Sequence, residues 1–171
     1  MTSHPAGSRR VLVLRCPQWL EAEWLEDTHG QDSAHGQDSA HGQNDGAVAR
    51  AFEPVVAIVE EFCPQVEVLR PGVCAIPARG PARYFGGEAQ LAAKLAEAVC
   101  RAGFTCQVGI ADGLFAAGLA ASTGPTGLLV PPGEAREFLA GFGVGVLGLP
   151  ELGELLPRLG IETLGQLASL P

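Results

Sequence analysis

The chain has 171 residues, a net charge of −8, 47% hydrophobic residues and 18% charged ones. Its length suits one sizeable core or two small units, and the apolar content excludes a chain that is disordered throughout. No apolar run approaches the ~18 residues of a membrane span. The run Val11–Leu14, which follows the basic N-terminus MTSHPAGSRR, is far too short for the apolar centre of a secretion signal. The expected location is therefore cytoplasmic, away from membranes. With Lys94 the single lysine among eleven basic residues, the chain is poorly supplied for neutralising phosphates. Any nucleic-acid contact is expected to be local, weak and non-specific.

In chain order, residues 1–9 read as a flexible N-terminus. Val11-Leu12-Val13-Leu14, bounded by Arg10 and Arg15, reads as a central strand buried on both faces. Pro17 suits the first turn of a helix running through Leu20 and Trp24. Residues 28–46 contain HGQDSA twice, from His29 and His35, with a decaying third copy from His41. This polar tract cannot build a core and reads as a disordered linker; three histidines six apart on such a tract do not preorganise a metal site. Val48, Phe52, Val55, Val59 and Phe62 then mark one face of a helix that Pro54 kinks or begins.

Val66–Leu69 and Val73–Ile76 are short strands around Pro71-Gly72, and Glu88–Ala102 is a second amphipathic helix. Phe104, Cys106, Val108 and Ile110 alternate with polar or small residues as a half-buried strand would. The order is β-α-β-β-α-β, an α+β ferredoxin-like sheet. A helix over 112–121, a short strand at Leu128–Val130 and a helix opened by Pro132-Gly133-Glu134 follow. The pair at 151–158 and 163–170 reads as a helix-hairpin-helix. Gly143–Gly148 spells G-x-G-x-x-G but lacks the preceding strand and following helix of a dinucleotide site, so it is a connecting loop. The five scattered cysteines contain no C-x-x-C pair and read as small buried hydrophobes in a reducing compartment.

Four stretches carry a family resemblance. TCQVGIADGLFAAGLAA (105–121) resembles the S-V-G-I-A-x-N-K-x-L-A-K-x-A segment of Y-family translesion DNA polymerases. GLLVPPGEAREFLAGFGVGVLGLP (127–150) resembles that family's passage from palm to thumb, and LGELLPRLGIETLGQLASLP (152–171) its thumb hairpin. VEVLRPGVCAIPARGPARYFGG (66–87) is similar to the UmuC/ImuB-like branch. The resemblance implies a ferredoxin-like palm over 10–27 and 47–130, and a thumb-like helical region over 131–171 with its helix-hairpin-helix at 151–171. It also implies that the histidine repeat of 28–46 replaces the fingers and that the chain stops after the thumb.

Polymerases of this kind hold two divalent cations between carboxylates. The resemblance places the family's first metal positions on Arg15 and Pro17, and its S-x-D-E motif on Arg70, Pro71, Gly72 and Val73. The family's triphosphate-binding lysine falls on Leu114. No carboxylate stands at the metal positions, so neither a catalytic residue nor a bound metal is expected, and the family's Mg²⁺ is not expected here. Among substitutes, Glu21 and Glu23 point to different helix faces and Glu67 and Asp112 are better neighbours, but all four read first as solvated surface acids. For DNA, the hairpin amides around Gly160 and Ile161, with Arg158 and a Thr163 cap, could hold a phosphate, although Glu154 and Glu162 flank them. Arg79 and Arg83, beside Tyr84 and Phe85 in the loop Gly80–Gly87, could grip phosphate or stack on bases; the aromatics could equally be plugs.

The expected function is a non-catalytic accessory protein of DNA repair and translesion synthesis (SOS mutagenesis), a weak DNA-binding scaffold. Its implied partners are DNA, a replicative-type polymerase, a RecA-like accessory protein and the sliding clamp, although the usual interaction tail is missing. The alternatives are an active DNA-directed DNA polymerase using displaced carboxylates, or a non-functional gene fragment.

Overall fold

The structure is a computed structural model that describes residues 9–20 and 41–170. The first eight residues, the first helix beyond Leu20 (with Glu21, Glu23 and Trp24), the histidine repeat up to residue 40, and Pro171 lie outside the described residues. Strand β1 (Arg10–Arg15) leads into helical residues 17–20. Then come α1 (His41–Phe62), β2 (Glu67–Arg70), β3 (Val73–Pro77), α2 (Arg79–Phe85), α3 (Glu88–Arg101), β4 (Gln107–Asp112) and α4 (Leu114–Ala121). After these come α5 (Ala135–Ala140), a 3₁₀ turn (Val144–Leu147), α6 (Pro150–Arg158) and α7 (Leu164–Ala168).

The sheet order is β2-β3-β1-β4 with every pair antiparallel, which is the expected ferredoxin-like arrangement. Because successive residues of a strand face opposite ways, β1 feeds two cores. Leu12 and Leu14 join Ile76 and Ile110 beneath Phe52, Val55 and Val59 of α1 and Leu91, Leu95 and Val99 of α3. Val11 and Val13 join Ala75 and Ala111 beneath the alanines of α4. A strand covered on both sides has no use for polar alternation, so the run at 11–14 is wholly apolar.

Three elements depart from the sequence reading. Helix α1 begins at His41, inside the segment expected to be an unstructured linker, because extending a helix upstream from the turn anchored by buried Phe52 costs little once it is nucleated. The aromatic loop at 80–87 is instead the short helix α2, with Gly80-Pro81 in its first turn where a missing N–H is tolerated. Strand β4 starts at Gln107, later than the alternation from Phe104 suggested, and both its faces are covered.

The second cover exists because position 109 is glycine. A Cβ there would lie 2.1 Å from the Ala121 nitrogen and 2.3 Å from the Ala117 carbonyl oxygen, both backbone atoms of α4. The helix rests directly on the strand, its own interior face built from Ala116, Ala117, Ala120 and Ala121. Beyond α4, the expected strand at 128–130 forms a parallel bridge to Ile110, with the Ile110 N–H donating to Leu128 O and the Val130 N–H to Ile110 O. The substitution Gly109→Ala is predicted to lower stability by about 3 kcal/mol, because the overlap is with backbone rather than a mobile side chain. Thermal unfolding checks this; a midpoint unchanged within error would contradict the packing.

Candidate functional site

The metal positions implied by the resemblance converge in space, at the C-terminal end of β1. Arg15 stands opposite Val73 at the start of β3, and the Cys16 N–H donates to Gly72 O at 2.7 Å. No carboxylate belongs to this group of Arg15, Cys16, Pro17, Gly72 and Val73. The Arg15 guanidinium donates to Gln107 Oε1 at 2.9 Å, and the Gln107 amide in turn donates to Gly124 O. A fixed guanidinium repels a divalent cation.

Gly72 adds a steric reason. Its φ of 82° lies in the left-handed region, and a Cβ there would meet the Trp19 Cβ at 2.8 Å and Cys16 O at 3.2 Å. An aspartate at this turn would be strained and crowded. Leu114 lies at the other end of the sheet, where a cleft of about 250 Å³ runs past Arg9, Val11, Glu67 and Ala75.

The substitute acids do not converge. Asp112 pairs with Arg10, five residues and hence about 17 Å along β1 from Arg15. It accepts from the Arg10 guanidinium at 3.4 Å and from the Gly133 N–H at 2.6 Å. Glu67 sits exposed on the edge strand opposite Ala75, roughly 12 Å from Arg15 by strand spacing. By the same strand and residue spacings Glu67 and Asp112 stand roughly 17 Å from each other, too far to bracket cations ~4 Å apart. Sequence reasoning passed over Arg10, a strand-boundary arginine that is 4% exposed. It donates to both Glu88 carboxylate oxygens, to Asp112 and to Val130 O at 2.9 Å. The hydrogen-bonded Glu88 carboxylate, with Asp112, raises its already high pKa despite burial.

Comparison with known proteins bears on the family and the fold. No protein-family profile matches the chain. It is 37% identical over 93 residues to Protein ImuB of Caulobacter vibrioides, covering 54% of this chain and 20% of that protein. It is 32% identical over 126 residues to DNA polymerase IV of Dehalococcoides mccartyi, covering 70% of this chain and 32% of the polymerase. The chain is a Y-family polymerase relative. The likeness extends to the fold. A DinB-family error-prone DNA polymerase from Sulfolobus solfataricus superposes with a TM-score of 0.69 at 17% identity, over 95% of this chain and 60% of that one. An insertion ternary complex of Dbh DNA polymerase gives 0.67 at 16%, over 95% and 61%. The chain spans about a third or less of the curated Y-family proteins it matches.

In this Y-family relative the hairpin after α6 turns through Leu159-Gly160-Ile161 and enters α7 by a capping box, Thr163 Oγ1 accepting from the Gln166 N–H and Gln166 Oε1 from the Thr163 N–H. The hairpin amides are largely spoken for: Gly160 donates to Pro157 O, Ile161 to Leu156 O, Glu162 to Gln166 Oε1 and Leu164 to Phe142 O. Arg158 remains exposed beside them. Arg83 and Tyr84 are exposed on α2, Tyr84 at 84%, so Tyr84 is not a plug; Phe85 packs against Phe62 at 5.0 Å.

Cys16, Cys63 and Cys74 are buried as expected, Cys106 is half-buried, and Cys100 is exposed on the outer side of α3. Burial pushes the Cys74 and Cys106 thiols from an ordinary 9.0 up to about 12, and raises Cys16 as well. Unfolded thiols ionise near 9, so this contribution to stability is whole below that pH and is lost as pH rises toward 12. The denaturation midpoint is predicted to fall between pH 8 and pH 11, and iodoacetamide at pH 8 to label Cys100 long before Cys16 or Cys74. Rapid labelling of Cys16 in the native protein would contradict the assigned burial.

Proposed function

We propose that this Y-family relative acts without polymerase chemistry, as a DNA-contacting scaffold in translesion synthesis and DNA repair. One observation carries the reading. At the strand ends where the resemblance places the cation cage, the chain brings together Arg15, Gly72 and Val73, with Arg15 held by a neutral amide and Gly72 in a backbone geometry hostile to an acidic side chain. A fold with two intact cores, and no carboxylate in the group of Arg15, Gly72 and Val73, suits a structural role. The relationship to ImuB and DNA polymerase IV supports a place in damage tolerance.

DNA contact is proposed through Arg158 and the hairpin of Gly160, Ile161 and Thr163, with Arg83 as a second point. Because most hairpin amides already have internal acceptors, Arg158 would supply most of the attraction, and the binding would be weak, non-specific and salt-sensitive. Protein partners such as a replicative-type polymerase, a RecA-like protein or the sliding clamp would need apolar surface. Leu152, Leu155 and Leu159 offer it as an exposed stripe on α6 and its C-terminal turn, at spacings of three and four.

Primer extension is the direct test. Purified protein is predicted to add no nucleotide with either Mg²⁺ or Mn²⁺. Incorporation that survives purification and disappears in Glu67→Ala, or in Asp112→Asn with the native circular dichroism kept, would show that displaced acids run the chemistry, and the scaffold reading would fail.

A further inference from the structure

A basic, aromatic surface lies on α2, away from the cation-cage position and away from the hairpin. Arg79 and Arg83 stand one helical turn apart, and both are exposed. Neither has an ion-pair partner among the described residues. Tyr84, the single tyrosine of the chain, follows on the neighbouring ridge with 84% of its surface exposed. Gly80, one turn earlier, presents no side chain that would screen the ring.

Beside Tyr84 opens a cleft of about 570 Å³ lined by Phe62, Pro64, Pro77, Pro81 and Phe85. Its aromatics are mutually braced: Tyr84 meets Phe85 edge-on at 4.9 Å, and Phe85 leans on Phe62. Lys94 Nζ sits 5.4 Å from the centre of the Phe85 ring and adds a cation against that aromatic. Glu61 is the acidic residue in the cleft lining and opposes an anion there. Arg79 and Arg83 thus share a short helix with one exposed ring, and Lys94 caps the neighbouring Phe85, in a chain of net charge −8. A solvent-exposed tyrosine gains little by folding, whereas a ring flanked by unpaired arginines matches the alternation of flat base and charged phosphate along a single strand.

We infer that α2 is a single-stranded nucleic-acid platform, in which a base stacks on Tyr84 over the open cleft and the adjoining phosphates pair with Arg79 and Arg83. The site rests on the DNA-contacting reading and deepens it, yet it stands or falls separately, because it shares no residue with the hairpin; Arg83 is the one residue common to it and the proposed DNA contacts. Phe85 lines the cleft, and an extended strand can cross it without reaching the interior of either core. A duplex, whose bases are stacked internally, has nothing to offer the ring.

Fluorescence anisotropy on the full chain decides the matter, with three probes: a labelled strand of ~12 thymidines, an equally long strand of abasic residues, and a duplex. The thymidine strand is expected to bind about tenfold more tightly than the abasic one, as base-on-ring stacking requires. Tyr84→Ala should erase that preference while leaving abasic binding unchanged. Arg79→Ala with Arg83→Ala should weaken both single strands and flatten the salt dependence by about 1.4 units of log–log slope. These residues are exposed, so the variants should keep the native circular dichroism. Equal affinity for thymidine and abasic strands, or indifference to Tyr84→Ala, would overturn the inference. So would occupation of the cleft by a proline-rich peptide that the thymidine strand fails to displace. Loss of binding in Arg158→Ala with Tyr84→Ala silent would leave the hairpin reading standing and remove this one.

Discussion

Strand β1 lies between two apolar layers, and the fold depends on how its two charged ends are satisfied. At one end Arg10 is almost wholly buried, so its charge must be matched. Glu88 at the start of α3, Asp112 at the end of β4 and the Val130 carbonyl supply the match, and Gly133 then borrows the second oxygen of Asp112. A single guanidinium therefore fixes the helical layer, the last strand and the connector that leads to the C-terminal helices. The pairing is ionic and buried, and breaking one member would leave the others uncompensated.

At the other end the same strand carries Arg15, and the contrast is chemical. Where Arg10 meets two carboxylates, Arg15 meets Gln107, and the neighbouring Cys16 N–H donates to Gly72 O. Asp112, the buried acid of this sheet, is placed where it holds the fold together, and the group of Arg15, Cys16, Pro17, Gly72 and Val73 at the other end contains no carboxylate. Asp112 illustrates the division: it looks in sequence like a spare carboxylate, yet in space it is committed to Arg10 and Gly133. The Y-family relationship supplies the frame in which this absence has meaning, and the residues supply the physical reason.

Much of this was legible before any coordinates. The wholly apolar Val11–Leu14 run announced a strand buried on both faces, and the 4,3,4,3 spacing from Val48 to Phe62 announced the helix that covers one of them. The alignment of Arg15 with Gly72 and Val73 came from resemblance, and the register of β1 with β3 brings those residues side by side. What stayed hidden depended on contacts distant in sequence. Nothing local distinguishes Gly109, which admits α4, from any other strand glycine. Arg10 looked like a boundary residue because its partners are 78, 102 and 120 positions away. Gly80-Pro81 advertised a loop, and tertiary packing of Ala82 and Phe85 made it a helix instead. Cys100 broke the pattern of buried thiols because the helix face it occupies points outward.

The most direct measurement of the central claim is manganese binding to the native protein, followed by electron paramagnetic resonance of the free ion and by anomalous scattering from soaked crystals. The account predicts that the free-ion signal is undiminished at millimolar Mn²⁺ and that no ordered ion lies between the Arg15 end of β1 and the Gly72 turn. A stoichiometric site there, coordinated by carboxylates from any part of the chain, would contradict it.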